Sequence, residues 1–216
     1  VDVKTLERKF AQGLRDEVTL LLFVEEGSAA SKDVELLAQA LIGMSPKIRV
    51  ETERIEGGMN QRMKDMRIEH WPCIVLMKGE FARIRYYGAP TGYEMPAFAD
   101  AIVELSAGAP HLAHLARESL SKTRRKANIK VFVLTTCPFC ATVARHSYRA
   151  AIGSPIVTAE VIDSSVFLDL AARHSVMGVP KMIINDSMDI TGAVDEVAFF
   201  EKLRDADHAL LDGMYG

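Results

Sequence analysis

Cys137 and Cys140, with Pro138 and Phe139 between them, are the residues whose type and spacing suit covalent chemistry in this chain. The segment Thr135-Thr136-Cys137-Pro138-Phe139-Cys140 follows a mostly apolar run over residues 129–134, interrupted at Lys130, and precedes helically spaced Cys140, Val143, Ala144, Tyr148 and Ala151. A Cys-x-x-Cys is thus predicted where a strand turns into a helix. The first turn of a helix leaves amide N–H groups unpaired and carries partial positive charge, which favours a thiolate over a thiol. Cys137 is the expected nucleophile, and Pro138 is expected at the first helical position, where its missing N–H costs nothing. Residues three apart on a helix are neighbours, so Cys140 can close a disulfide on Cys137 and is the expected resolving thiol. The same spacing is also half of a zinc site, so a metal reading stays open on these residues alone.

The elements that must position this pair come next. Downstream, Val176-Met177-Gly178-Val179-Pro180-Lys181-Met182-Ile183-Ile184 places a proline just before a β-rich run. Proline belongs at a strand entrance rather than inside a central strand, and a cis peptide there has modest cost. With these residues the chain resembles the thioredoxin/glutaredoxin superfamily, and most closely its glutaredoxin-like protein disulfide oxidoreductases, which carry two thioredoxin folds in one chain. Cys-Pro-Phe-Cys differs from the glutaredoxin Cys-Pro-Tyr-Cys by one ring hydroxyl. The resemblance implies a helix-start dithiol facing a cis-proline, with the Val179 backbone and Pro180 forming a docking edge for an extended substrate.

Bulk properties are compatible with this. A chain of 216 residues, 49% hydrophobic and 25% charged, can bury one large or two small cores. Its formal charge of -3 argues against nucleic acid or an acidic membrane as the main partner. The basic run Lys122-Thr123-Arg124-Arg125-Lys126 reads as a solvated helix C-terminus rather than a docking patch. No apolar stretch has the roughly 20 residues a membrane span needs, and no signal pattern opens the sequence. A cytoplasmic protein is expected. Three cysteines do not make a structural disulfide framework.

The chain reads as a repeat. Val3, Leu6, Phe10 and Leu14 give an opening amphipathic helix, and Leu112, Leu115, Ala116 and Leu120 give another near the middle. After each come a strand (residues 18–24 and 129–135), a helix (Val34, Leu37, Ala38, Leu41, Ile42; and the one from Cys140), a second strand (48–55 and 156–162) and a short helix. Ile68-Glu69-His70-Trp71-Pro72 then matches Val176-Met177-Gly178-Val179-Pro180, paired strands follow, and Gly88-Ala89 recurs as Gly192-Ala193 before a terminal helix. Each half is αβαβαββα, the thioredoxin-like fold with one extra leading helix. The expected class is α/β: two tandem thioredoxin-like domains, each a central mixed four-stranded sheet flanked by helices. The boundary is placed in Ala107-Gly108-Ala109-Pro110, giving domains 1–108 and 109–216 with a short linker and packed halves.

In register with the dithiol, the first half has Ser28-Ala29-Ala30-Ser31. Serine makes no disulfide, no base to activate it is evident, and an N-cap role accounts for Ser28. The first half is therefore read as redox-inert. Trp71 reads as filling the vacant groove or the domain interface, with a peptide contact as the alternative, and Cys73 reads as a core residue. A lone second-half dithiol also resembles the N-terminal double-thioredoxin domain of the alkyl hydroperoxide reductase flavoprotein, which shares the Val-Met-Gly-Val-Pro loop. No flavin- or nicotinamide-binding region follows within these 216 residues.

The implied activity is thiol–disulfide exchange with protein disulfides, a role in electron transfer and cell redox homeostasis. Cys137 attacks a partner disulfide, and Cys140 then displaces the partner thiol from the mixed disulfide. By analogy with the motif, the potential lies between about -180 and -240 mV. Where thioredoxins often have a buried acid beneath the site, this chain has Val131, and Glu160 on the neighbouring strand is a weak substitute. No cofactor and no metal is expected. The implied partners are protein disulfides and dithiols, a peroxiredoxin, and a reductase or glutathione as donor. Two other readings stay open: a metal or cluster scaffold drawing on Cys73 or the six scattered histidines, and a binding module with an incidental dithiol.

Overall fold

A computed structural model of the chain describes residues 2–212. Eight strands form one sheet in the order β2-β1-β3-β4-β6-β5-β7-β8. The first half supplies α1 (Val3–Gly13), β1 (Val18–Glu25), α2 (Ala29–Met44), β2 (Ile48–Ile55), α3 (Gln61–Met66), β3 (Cys73–Lys78), β4 (Phe81–Tyr87) and α4 (Glu94–Ala107). The second half repeats the series: α5 (His114–Lys122), β5 (Ala127–Val133), α6 (Cys140–Gly153), β6 (Val157–Asp163), α7 (Leu168–Arg173), β7 (Lys181–Ile184), β8 (Met188–Thr191) and α8 (Glu196–Asp212).

Within each half the second strand lies parallel to the first, the third antiparallel to the first, and the fourth antiparallel to the third. β1 and β5 are thus central and covered on both faces, which is why β1 reads as continuously apolar over residues 20–24 and β5 over 131–133, whereas half-buried Asn128 and Lys130 alternate with apolar residues at the start of β5. One feature exceeds the expectation of two separate four-stranded sheets. β4 pairs in parallel with β6, with Ile84 opposite Ala159 and Tyr87 opposite Ile162, so the two sheets merge. That register sets Arg85 against Glu160, and the two form a buried ion pair across the seam. The Arg85 guanidinium also donates to the carbonyls of Met66 (2.6 Å) and Arg67 (3.3 Å), which offsets part of its desolvation.

The two faces are covered unequally. Alternate residues of β5 (Ile129, Val131, Val133) and β6 (Val157, Ala159, Val161) pack beneath α1, α2, α4, α5, α6 and α8. Phe132 and Ile162 point the other way, to a smaller core closed by α3 and α7. α4 of the first half packs on α6 of the second, joined by Arg145–Asp100 (2.9 Å) and Arg149–Glu104 (2.8 Å) ion pairs. Gly108, in the left-handed conformation (φ 77°), ends α4, and an extended stretch leads to α5.

Three apolar residues used to recognise helices face solvent: Val3 (53% exposed), Ile42 (40%) and Leu115 (57%). Leu115 stands beside the buried stripe Leu112, Ala116 and Leu120, which repeats every four residues.

Candidate active site

β5 ends at Val133, and the chain turns through residues 134–139 before α6 begins. The Cys137 N–H bonds the Leu134 carbonyl (2.9 Å), and the Cys140 N–H bonds the Cys137 carbonyl (3.4 Å). Pro138 therefore sits in a tight turn ahead of the helix, not at its first position as expected. Cys140 is the first α-helical residue, and Phe139, with φ -88° and ψ -21°, caps it. The three-residue return to Cys137 winds this entry more tightly than an α-helix, so the regular ladder starts later.

Cys137 is partly exposed, Cys140 is fully buried, and both are free thiols. Phe139 projects into solvent at 64% exposure. The Cys137 sulfur lies 4.0 Å from the Val179 carbonyl oxygen. Val179 and Pro180 lie in a bend outside the strand ladder, joined by a cis peptide, and β7 starts at Lys181. The structure thus brings together Cys137, Pro138, Phe139, Cys140, Val179 and Pro180. Burial, then the hydrogen bond with Cys137, drives the Cys140 thiol well above the usual cysteine range.

Glu160 does not serve this site. It belongs to the β6 residues that face away from Cys140, and Arg85 engages it there. The carboxyl on the Cys140 side is Glu94, which the sequence reading missed. Glu94 opens α4 of the first half, is wholly buried, and neither carboxyl oxygen has a hydrogen-bond partner in the protein. Burial first and the Asp163 carboxylate second push it up to about 8, with Arg145 pulling down. Its negative form in turn raises Cys140, and the buried Tyr86 and Tyr148 hydroxyls are likewise perturbed by it. A signal was available: Glu94 sits on the helical stripe with Phe98, Ala101 and Leu105, where a carboxylate among apolar residues is out of place.

α4 reaches the redox loop through its entry turn. The Tyr93 N–H bonds the Thr135 carbonyl (2.9 Å). Gly92 has φ +53°, and a Cβ there would stand 2.4 Å from the Thr135 oxygen, so only glycine permits this approach.

The first-half counterpart differs in kind. Ser28 caps α2, accepting from the Ser31 N–H (3.3 Å), and the buried Ser31 hydroxyl accepts from the Glu25 N–H (3.0 Å). Trp71 is partly buried and donates to the Glu25 carboxylate (3.3 Å), and the Trp71–Pro72 peptide is cis. Cys73, wholly buried in β3, has its thiol pushed far up by desolvation. Among the described residues no cluster of three or more His, Cys, Asp or Glu has metal-binding proximity.

Comparison with known proteins places this geometry. The thioredoxin-domain family pattern matches residues 127–205. The chain is similar to thioredoxin-like oxidoreductases. This thioredoxin-like chain superposes on the NTD N/C domain of the alkylhydroperoxide reductase AhpF from Enterococcus faecalis with a TM-score of 0.85, 27% identity, and coverage of 93% of this chain and 97% of that one. A protein disulfide oxidoreductase from Aeropyrum pernix shares the fold at TM-score 0.83 and 21% identity, over 97% and 95% of the two chains. The curated relatives include the alkyl hydroperoxide reductase AhpF of Staphylococcus aureus, 21% identical over 196 residues, 85% of this chain and 36% of that protein. The thioredoxin-like chain thus spans little more than a third of the length of those relatives.

Proposed function

We propose that the protein exchanges electrons with protein disulfides through the Cys137/Cys140 dithiol. The observation that carries this is the pairing of a partly exposed sulfur with a buried one at a single helix entrance, beside the Val179–Pro180 edge. In the reductive direction, the Cys137 thiolate attacks one client sulfur and the other leaves as a thiolate. Cys140 then loses its proton, attacks the Cys137 sulfur, and expels as a thiolate the client sulfur bonded there while the internal disulfide forms. A buried thiol cannot ionise readily on its own. Glu94, raised to about 8 and facing the same layer, is suited to accept that proton and return it on reversal.

Residues 1–108 and 109–216 act as two domains in this reading. The first contributes no sulfur chemistry but supplies Glu94 and the turn that braces Thr135. Likeness to the alkyl hydroperoxide reductase AhpF favours a dedicated shuttle passing electrons to a peroxiredoxin, over a general glutaredoxin-like role in redox homeostasis. We place it in a reducing compartment such as the cytoplasm. Its few cysteines fit that setting, and among the described residues no helix is long and apolar enough to cross a membrane.

The test is a Cys140→Ser variant, in which the mixed disulfide on Cys137 persists, used to capture partners from a lysate of the source organism. One peroxiredoxin or flavoprotein captured supports the shuttle, and many unrelated proteins support a general oxidoreductase. No capture, with Cys137 still reactive to small disulfides, would refute both.

A further inference from the structure

A shallow cleft of about 440 Å³ lies against the two residues that precede Cys137. Gly92, Tyr93 and Pro96 of the first half form one wall, and Thr135 and Thr136 form the other. None of these residues is charged. Tyr93 is 54% exposed, large for an aromatic on a folded surface, while its backbone is pinned by the bond to Thr135. Exposed Phe139 and Met177, at 64% and 96%, extend the apolar surface around the dithiol. Sparse single apolar residues on a surface are ordinary, but a walled apolar cleft against the two residues that lead into a reactive cysteine is not.

We propose that this cleft is a side-chain subsite, with Tyr93 as its specificity-determining residue, for an aliphatic or aromatic residue next to the client's cysteine. The proposal rests on the disulfide-exchange reading. A client sulfur bonded to Cys137 must bring its own chain within a residue length or two of Thr136, since consecutive Cα atoms are about 3.8 Å apart. The flanking side chain then meets the tyrosine and proline rings and the threonine methyl groups. Such walls hold an apolar side chain and offer a charged one no partner. The cleft is preformed, because Gly92 and the Tyr93–Thr135 bond fix its two walls to each other. Selectivity for clients thus resides in the half that lacks the dithiol.

The test uses two cysteine peptides of equal length, activated as thiopyridyl disulfides, one with leucine and one with serine beside the cysteine. Their second-order rates with Cys140→Ser are compared with its rate toward dithiodipyridine, which has no side chain to place. The leucine peptide should react about tenfold faster than the serine peptide, the scale of partly burying one apolar side chain. Adding Tyr93→Ala should reduce that preference to within about twofold and leave the dithiodipyridine rate unchanged, and Tyr93→Phe should keep the preference. No preference in Cys140→Ser, or one that survives Tyr93→Ala, would overturn the subsite. So would an equal loss toward all three reagents, which would mark Tyr93 as a brace of the loop, or a dimer that Tyr93→Ala dissociates. These rates do not depend on turnover. If the wild-type protein fails to reduce insulin while the peptide preference holds, the oxidoreductase reading falls and the subsite stands.

Discussion

The two helix entrances, at Ser28 and at Cys137, occupy the same place in the repeat and show what a thiol adds to a scaffold and what the scaffold adds to a thiol. At the first, oxygen replaces sulfur, and both hydroxyls accept backbone N–H groups at the strand-to-helix turn. At the second, Cys140 keeps the equivalent hydrogen bond with the Leu134 backbone and adds one with Cys137, whose sulfur lies 4.0 Å from the Val179 carbonyl oxygen. The degenerate entrance has become a well-satisfied cap. The intact one keeps a buried thiol and a buried carboxyl, both costly in the ground state and useful only if protons and electrons move.

The sharpest break of this comparison is Cys137→Ser, which makes the second entrance resemble the first. Insulin-disulfide reduction should vanish, whereas Ser28→Ala should leave it intact, and a turbidity assay reads both. Comparable losses in the two variants would mean that the halves are not functionally distinct.

Next in size is Glu94→Gln, which removes the carboxyl that the first half lends to the second. Resolution of a preformed mixed disulfide by Cys140, followed in a stopped-flow experiment, should slow by about 100-fold, the lower end for a lost general base. The attack of Cys137 on a small disulfide should change little. The substitution also has a thermodynamic signature. Glu94 holds its proton more tightly folded than unfolded, so its contribution to stability is intact at low pH and declines as pH rises from about 4 through about 8. Denaturant titrations should show Glu94→Gln gaining roughly 2–4 kcal/mol on the wild type between pH 4 and pH 9.

A smaller effect comes from His146, whose counterpart on α2 is Leu37. It is buried against Phe199 with neither ring nitrogen bonded, and burial pushes it down to about 4. Glu196 and Asp195 favour its charged form and Arg145 and Arg149 oppose it. A base depressed in this way costs stability as pH falls from about 6.5 toward about 4. His146→Phe should remove roughly 2–3 kcal/mol of that acid-side loss, measured as the difference in unfolding free energy at pH 7 and pH 4. The smallest effect expected is that of Ser28→Ala on stability. Loss of an N-cap should cost about 1 kcal/mol, read as a drop in Tm of a few degrees.

The repeat, the strand-to-helix dithiol and the prolines before β3 and β7 were legible in the sequence because each rests on local chemistry: apolar runs, cysteine spacing and proline's missing N–H. What was not legible depends on which face of the sheet a residue occupies once the halves meet. Glu160 looked suitable because it neighbours the redox strand, but strand alternation turns it to the opposite layer, where Arg85 waits. Glu94 looked like an ordinary acidic residue at a helix start, and its burial comes from packing of α4 against α6. The tight entry at Pro138 also escaped, since its position follows from a backbone bond rather than from residue type.

The parallel pairing of β4 with β6 carries a consequence for how such a chain can be inherited and cleared. With no open edge between the halves, neither is a detachable module: residues 109–216 alone would present β6 as an unpaired template for aggregation. The half without the dithiol therefore covers a strand edge of its neighbour that would otherwise be adhesive.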